Sequence, residues 1–272
     1  MATAMSGLAQ KVSNKLNFQK GQQWQMTIRI NSTMTSAMGE GKVDATVVRL
    51  FDVQDANGTS ATIGHKIRRL QFNATSALGA QEFDSDNAKD MNSEAGKVIS
   101  KSLQTQYTMT LDATGKVMAV QKDEKTTSAT KDPNEEMMSN LMSQMAEGLN
   151  APAPGDNSDF RILPDHEVGR GESWTDSVPN RKTVYTLADL TDSDIIITYT
   201  EDATIATKQE AMGMQIHMNS KDRTTGRITL DRRTGLLKAK TASTSSEGTM
   251  EAMGQSAPTS KKISRSWTVT AG

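Results

Sequence analysis

The stretch "WQMTIRINSTMTSA", Trp24 to Ala37, decides the fold class. Met26, Ile28 and Ile30 alternate with Thr27, Arg29 and Asn31. That period of two, held over a long span, belongs to a β-strand with one face in water. The pattern continues outward. After Glu40-Gly41-Lys42 the chain reads "VDATVVRLFDV". "DANGTS" (Asp55–Ser60) is a turn centred on Asn57-Gly58, and "ATIGHKIRRLQFNATSA" returns from it. Residues 24–75 therefore read as a meander of three long antiparallel strands. Beyond Trp174 the same pattern recurs in "RKTVYTLADL", "DIIITYTEDATIATK", "MQIHMNSKDRTTGRITLD", "GLLKAKTASTSSEGTM" and "SKKISRSWTVT".

Composition agrees with this reading. The 272 residues are 35% hydrophobic and only 4% aromatic, and threonine favours the pleated surface of a strand. A polar, Thr-rich chain of this length predicts long strands wet on one face, in one large domain or two ordinary ones. The net charge is −1, from 31 basic and 32 acidic residues. No field of one sign exists to attract nucleic acid or an anionic membrane surface. The short runs Lys66-Ile67-Arg68-Arg69 and Lys261-Lys262 read as solvated strand faces, so no nucleic-acid partner is expected. With no cysteine, disulfides, thiolate metal sites and a cysteine nucleophile are excluded. No run of 18 apolar residues predicts a transmembrane helix. The start, "MATAMSGLAQKVSNKLNF", lacks the apolar region of a secretory signal, so the expectation is a cytoplasmic protein or one whose leader lies outside this chain.

Two four-residue signatures organise the chain. Gly21-Gln22-Gln23-Trp24 and Gly171-Glu172-Ser173-Trp174 share Gly-x-x-Trp, in a sequence with three tryptophans. Later in each half stands a strand ending in Leu-Asp, a Thr-Gly turn and a second strand: "TLDATGKVMAV" (Thr110–Val120) and "TLDRRTGLLKAK" (Thr229–Lys240). Aspartate bonds to turn backbone and glycine supplies positive φ, so each is a hairpin with a mechanism. The order is the same in both halves, which predicts two related β units. The boundaries that follow are a flexible arm over 1–16, a first β unit over 17–150, a linker over 151–159 ("APAPGDNSD") and a second β unit over 160–272, the two units alternatively forming one continuous domain. Ala95, Val98, Ile99 and Leu103 fall at helical spacing and predict a short helix near 92–104. Asp132, Pro133 and Glu135 form a helix start that predicts a second helix over 133–148.

Chemistry is sparse. His65, His166 and His217 are far apart and fit no metal-binding pattern. No nucleophile elbow, P-loop or dinucleotide fingerprint is present, and "DSDNAKD" and "GDNSD" lack the spacing of a calcium loop. The reading is a protein that is not an enzyme, with no metal and no cofactor. The one suggestive element is the methionine-rich helix. Met137, Leu141, Met145 and Leu149 form one row and Met138 and Met142 the next, giving a broad apolar stripe. The stripe either packs on the sheet or lids a cavity, where unbranched methionine suits lipid-like ligands. These six residues, with Trp24 and Trp174, are the candidate ligand-binding residues. For the tryptophans, anchoring of the first strand of each half is the competing role. Ala-Met-Gly recurs at 37–39, 211–213 and 252–254, where strands should turn.

"KLNFQKGQQWQMTI", the methionine-rich helix, "ILPDHEVGRGESWTDS" and "GRITLDRRTGLL" together resemble an uncharacterised family of exported bacterial proteins, often lipoproteins of Gram-negative envelopes. Pro164 to Trp174 is the most specific part; no lipobox is present. The resemblance implies export and a β-rich protein, periplasmic or associated with the outer membrane, and implies no catalytic residues. The expectation is a mainly β (α+β) fold of long, curved antiparallel strands in two pseudo-repeated halves, half-barrel-like, with two short helices. Its expected function is the non-enzymatic binding of a hydrophobic small molecule, lipid or envelope lipoprotein partner in the concavity. The alternative is a structural or interaction module with a packed interior.

Overall fold

A computed structural model describes residues 11–37, 39–76, 79–103, 106–122, 151–211, 214–252 and 254–272. The first half opens with a short strand, β1 (Lys11–Val12), and continues as the expected meander: β2 (Gln23–Ser36), β3 (Gly39–Ala56) and β4 (Ser60–Ser76). A return strand β5 (Gly79–Asp84) leads to helices α1 (Ala88–Met91) and α2 (Glu94–Leu103), then to the hairpin β6 (Gln106–Asp112) and β7 (Val117–Lys122). The second half contains β8 (Val168–Gly169), β9 (Ser173–Val178), β10 (Arg181–Leu190), β11 (Asp194–Ala211), β12 (Met214–Asp231), β13 (Leu237–Ala252) and β14 (Gln255–Ala271).

Apart from the small β1–β8 pair, all strands join one antiparallel sheet. Its order is β7-β6-β4-β3-β2-β14-β13-β12-β11-β10-β9, with β5 beside β4. The second half is a plain meander; in the first, β4 pairs with both β5 and β6, and the halves meet where the last strand pairs with the first long one. Ile28 lies opposite Trp267 and Trp24 opposite Ala271 in that seam. The two units therefore share one continuous sheet. Its ends, β7 and β9, do not pair, so the described strands form no closed barrel.

Alternation along the strands sends one set of side chains to a single buried face. Trp24, Met26, Ile28 and Ile30 supply it from β2, Val47, Phe51 and Val53 from β3, and Ile263 and Trp267 from β14. The opposite face carries the threonines and charges that the composition foretold.

The helix expected near 92–104 is α2, which lies on β4 and buries Ile99 completely. Gly96 makes the α1–α2 elbow feasible, because a Cβ there would collide with the Asp90 carbonyl. Residues 133–148, with Met137, Met138, Leu141, Met142, Met145 and Leu149, lie outside the described residues.

Two boundaries need correction. Residues 11–16, expected as part of a flexible arm, are docked: β1 pairs with β8, and Leu16 is buried. The 151–159 segment is a strap rather than a free linker. Its Asn157 bridges Lys116, and Ser158 is buried with its hydroxyl donating to the Gly115 carbonyl at 2.6 Å.

Candidate functional site

The two Gly-x-x-Trp signatures build the same local structure. Gly21 and Gly171 adopt φ of 80° and 85°, a left-handed conformation that glycine reaches without a Cβ penalty. Each closes a tight turn: Gln22 N donates to Gln19 O and Glu172 N to Gly169 O, both at 3.0 Å. Each glycine N–H also donates to a neighbouring strand, at Val53 O and Leu187 O, both at 2.8 Å. The turn aims a tryptophan at the buried face three residues later. Trp24 stacks on Phe51 with centroids 5.6 Å apart, and Phe160 meets it edge-on at 5.5 Å. Trp174 stacks on Tyr185 at 5.4 Å.

From each tryptophan an aromatic ladder crosses the sheet through directly opposed residues. In the first half it runs Trp24, Phe51, His65, Tyr107. In the second it runs Trp174, Tyr185, Tyr199, Gly226. Gly226 stands where the first half has Tyr107, and the Tyr199 ring fills the space that a Cβ at 226 would need.

The repeated Asp-Thr-Gly turns also match. Asp112 Oδ1 accepts from Thr114 N at 2.8 Å and Lys116 N at 2.9 Å, and Asp231 Oδ1 from Arg233 N at 3.0 Å and Thr234 N at 2.9 Å. Partial burial raises both carboxyls, but these bonds outweigh it and hold both below the usual carboxylate range. Gly115 and Gly235 close the turns at φ of 83° and 71°.

The N-terminal arm threads between these turns. Leu16 N donates to Ala113 O at 3.2 Å and Asn17 N to Thr234 O at 2.9 Å, while the Leu16 side chain sits against both turn glycines. One hydrophobic residue thus ties the repeated turns of the two halves together. Beside it opens a cavity of about 520 Å³. Buried Leu16, Leu163 and Ile195 form its apolar floor, and exposed Lys15 and Arg233 its charged rim.

A polar cluster interrupts the apolar face under the strap. Arg49, only 3% exposed, donates from Nε to His65 Nε2 at 3.0 Å and from a terminal nitrogen to Asp159 Oδ2 at 2.7 Å. Its guanidinium also lies 5.0 Å from the Phe51 ring centroid. Accepting at Nε2 places the His65 proton on Nδ1, which is buried with no partner among the described residues. Burial, and then the Arg49 charge, push His65 down to about 3, so the ring is neutral. Burial opposes the Arg49 charge, but Asp159 and the Tyr107 hydroxyl more than offset this. Burial likewise raises Asp159, yet Arg49 draws it below the usual range, with Lys240 adding to the pull. Lys240, from the other half, lies 4.6 Å from the Trp267 ring centroid and 5.5 Å from that of Tyr199. Asp159 therefore answers cations from both halves.

Of the sequence candidates, Trp24 and Trp174 both reach the buried face, in separate aromatic clusters. Arg49, His65, Tyr107, Asp159 and Lys240 were not anticipated. His65 stood in a polar-looking strand, but its parity with Ile63 and Ile67 in "ATIGHKI" marks the buried face. Among the described residues no group of three or more His, Asp or Glu could hold a metal, and no helix is long and apolar enough to cross a membrane.

The chain resembles solved structures at the level of fold. A chain of lipovitellin, from work titled as lipid–protein interactions in that protein, superposes with a TM-score of 0.52 at 9% identity, covering 94% of this chain. This chain spans about a quarter (25%) of the lipovitellin chain. An outer membrane channel from Pseudomonas putida F1 gives a TM-score of 0.28 at 9% identity, covering 94% of this chain and 98% of the channel. No curated protein matches significantly. A family of unknown function, DUF6263, matches residues 58–237, which take in the second Gly-x-x-Trp turn and both Asp-Thr-Gly turns; the chain belongs to that family.

Proposed function

We propose that this protein is a non-enzymatic cell-envelope protein that binds a hydrophobic ligand, a lipid or the acyl part of a lipoprotein partner, against the inner face of its curved, half-barrel-like sheet. The observation that carries the reading is the apolar-floored cavity of about 520 Å³ between the two repeated turns, a volume within the range of small-molecule sites. The lipovitellin-like fold supports it, since that structure concerns lipid–protein interactions in lipovitellin. The sequence motifs shared with exported envelope proteins support the location. The polar cluster favours a structural over a catalytic role. His65 is held neutral near 3 and Tyr107 is pushed up by burial, so neither is tuned near neutral pH as a general acid or base would be.

A second reading, a structural or interaction module, draws on the packing of Phe18, Phe51 and Phe160 around Trp24. Titration with N-phenyl-1-naphthylamine, a neutral apolar fluorophore, separates the two. The ligand reading expects saturable binding, and Ala113→Trp, which fills the cavity from a turn residue, should abolish it. Saturable binding that Ala113→Trp leaves unchanged removes the cavity as the site. Absence of binding favours the module.

A further inference from the structure

Lys261 and Arg265 share a face of β14 with buried Ile263 and Trp267, so both point to the inner side of the sheet. Pairing places Arg265 between Ala242 and Ile30, and Lys261 between Ser246 and Met34. Both side chains are partly buried, and neither forms an ion pair among the described residues. Arg265 Nε is fully buried with no acceptor among the described residues. Burial lowers Lys261, and the charge of Arg265 lowers it further; Asp222 opposes this only in part. The inner-face carboxylates of β11 and β12 accept from hydroxyl groups rather than from these two cations. Asp222 accepts from Ser220 Oγ at 2.8 Å and Ser246 Oγ at 2.6 Å, and Glu201 accepts from Thr183 Oγ1 at 2.8 Å.

Two partly buried cations on one face, with no carboxylate in contact among the described residues and one guanidinium nitrogen buried without an acceptor, are an arrangement folded proteins normally resolve by pairing. A bound anion resolves it. Apart from Asp222, which lies beyond Ser246, the neighbours are apolar or neutral: Ile30, Ala242, Ile263 and the buried pair Thr224–Thr244, whose hydroxyls lie 2.9 Å apart and satisfy each other. We infer that Lys261 and Arg265 form an anion subsite on the inner face that takes the phosphate or carboxylate of an amphiphile. The inference rests on the proposed binding of a hydrophobic ligand to this face, and concerns a stretch of it away from the cavity at the turns.

The test compares 1-oleoyl lysophosphatidic acid with monoolein, which shares its tail but lacks the phosphate. Calorimetry is run on the full chain and on the double variant Lys261→Met/Arg265→Met, whose fold is checked by circular dichroism. The wild type should bind the phosphorylated lipid at least about ten-fold tighter than monoolein. The double variant should lose that preference while binding monoolein as before. Equal affinities in the wild type, or a preference that survives in the variant, overturn the subsite and leave the hydrophobic-ligand reading standing. If neither lipid binds, that reading falls, and inorganic phosphate decides the rest. A phosphate-dependent rise in Tm that the variant lacks assigns the pair to free phosphate; no such rise overturns the anion subsite as well.

Discussion

At the scale of single residues, the buried face is held by a few aromatic and charged anchors whose loss should be measurable. Trp24→Ala and Trp174→Ala should each cost roughly 3–5 kcal/mol in urea unfolding. Trp24 should be the costlier, because Phe18, Phe51 and Phe160 all pack on it. Unchanged midpoints in both would show that the repeated signature is not an anchor. Asp159→Asn leaves Arg49 buried without its counter-charge. Since the Asp159 side chain is about half exposed (47%), the expected cost is about 2 kcal/mol rather than the full penalty of a buried pair. Arg49→Met combined with Asp159→Asn should recover part of it. His65 sets a pH dependence of definite sign. Its folded value of about 3 lies below its ordinary 6.5, so the unfolded chain takes up a proton that the folded chain refuses. Stability is full above pH 6.5 and should fall as pH drops toward 3, with a slope approaching one proton. His65→Gln should flatten the curve between pH 6.5 and 4. The lowered carboxyls of Asp112, Asp159 and Asp231 act in a separate window: their contribution is present above about pH 4 and is lost below it as they protonate. A wild-type curve flat from pH 7 to 4 would contradict the role given to His65.

At the scale of elements, the repeats explain how two halves share one sheet. The signatures were legible in sequence because turn chemistry is local: glycine at positive φ and aspartate bonding to the next few amides need no distant partner. Strand alternation was legible for the same reason: it placed β2 and β4 closely, whereas β3 (Gly39–Ala56) runs through the Glu40-Gly41-Lys42 stretch read as a turn. The docking of the arm and strap was not legible. Leu16 reaches turns near residues 113 and 234, and Asp159 reaches Arg49, so their roles depend on which turns the topology brings together. The polar residues of the inner face were hidden differently. "SKKISRSWTVT" reads as a solvated strand by composition, yet Ile263 and Trp267 fix the parity that turns Lys261 and Arg265 inward. Two element-level predictions follow from the packing. Leu16→Ala should cost about 2–3 kcal/mol and expose the arm to limited proteolysis. Gly226→Ala should cost about 1–3 kcal/mol, because its Cβ displaces the Tyr199 ring or the Thr241 carbonyl. A Gly226→Ala protein as stable as the wild type would mean that the second aromatic ladder is loosely packed.

At the scale of the whole molecule, one meander starts in the middle of the sheet, runs to one edge, resumes at the other edge and returns to pair with its own beginning. Strap and arm lie on the inner side, and the seam between β2 and β14 carries both the apolar core of the face and the Lys261–Arg265 pair. The buried face is apolar around Trp24, Phe51 and Trp267, polar around Arg49 and His65, and carries Lys261 and Arg265 further along β14. The central claim, that the inner face holds an amphiphile, is tested most directly by native mass spectrometry of the purified full chain, with organic extraction of whatever accompanies it. The account predicts a stoichiometric adduct that extraction identifies as an acylated, anionic molecule. A spectrum of the bare chain alone, unchanged after incubation with lysophosphatidic acid, would contradict it.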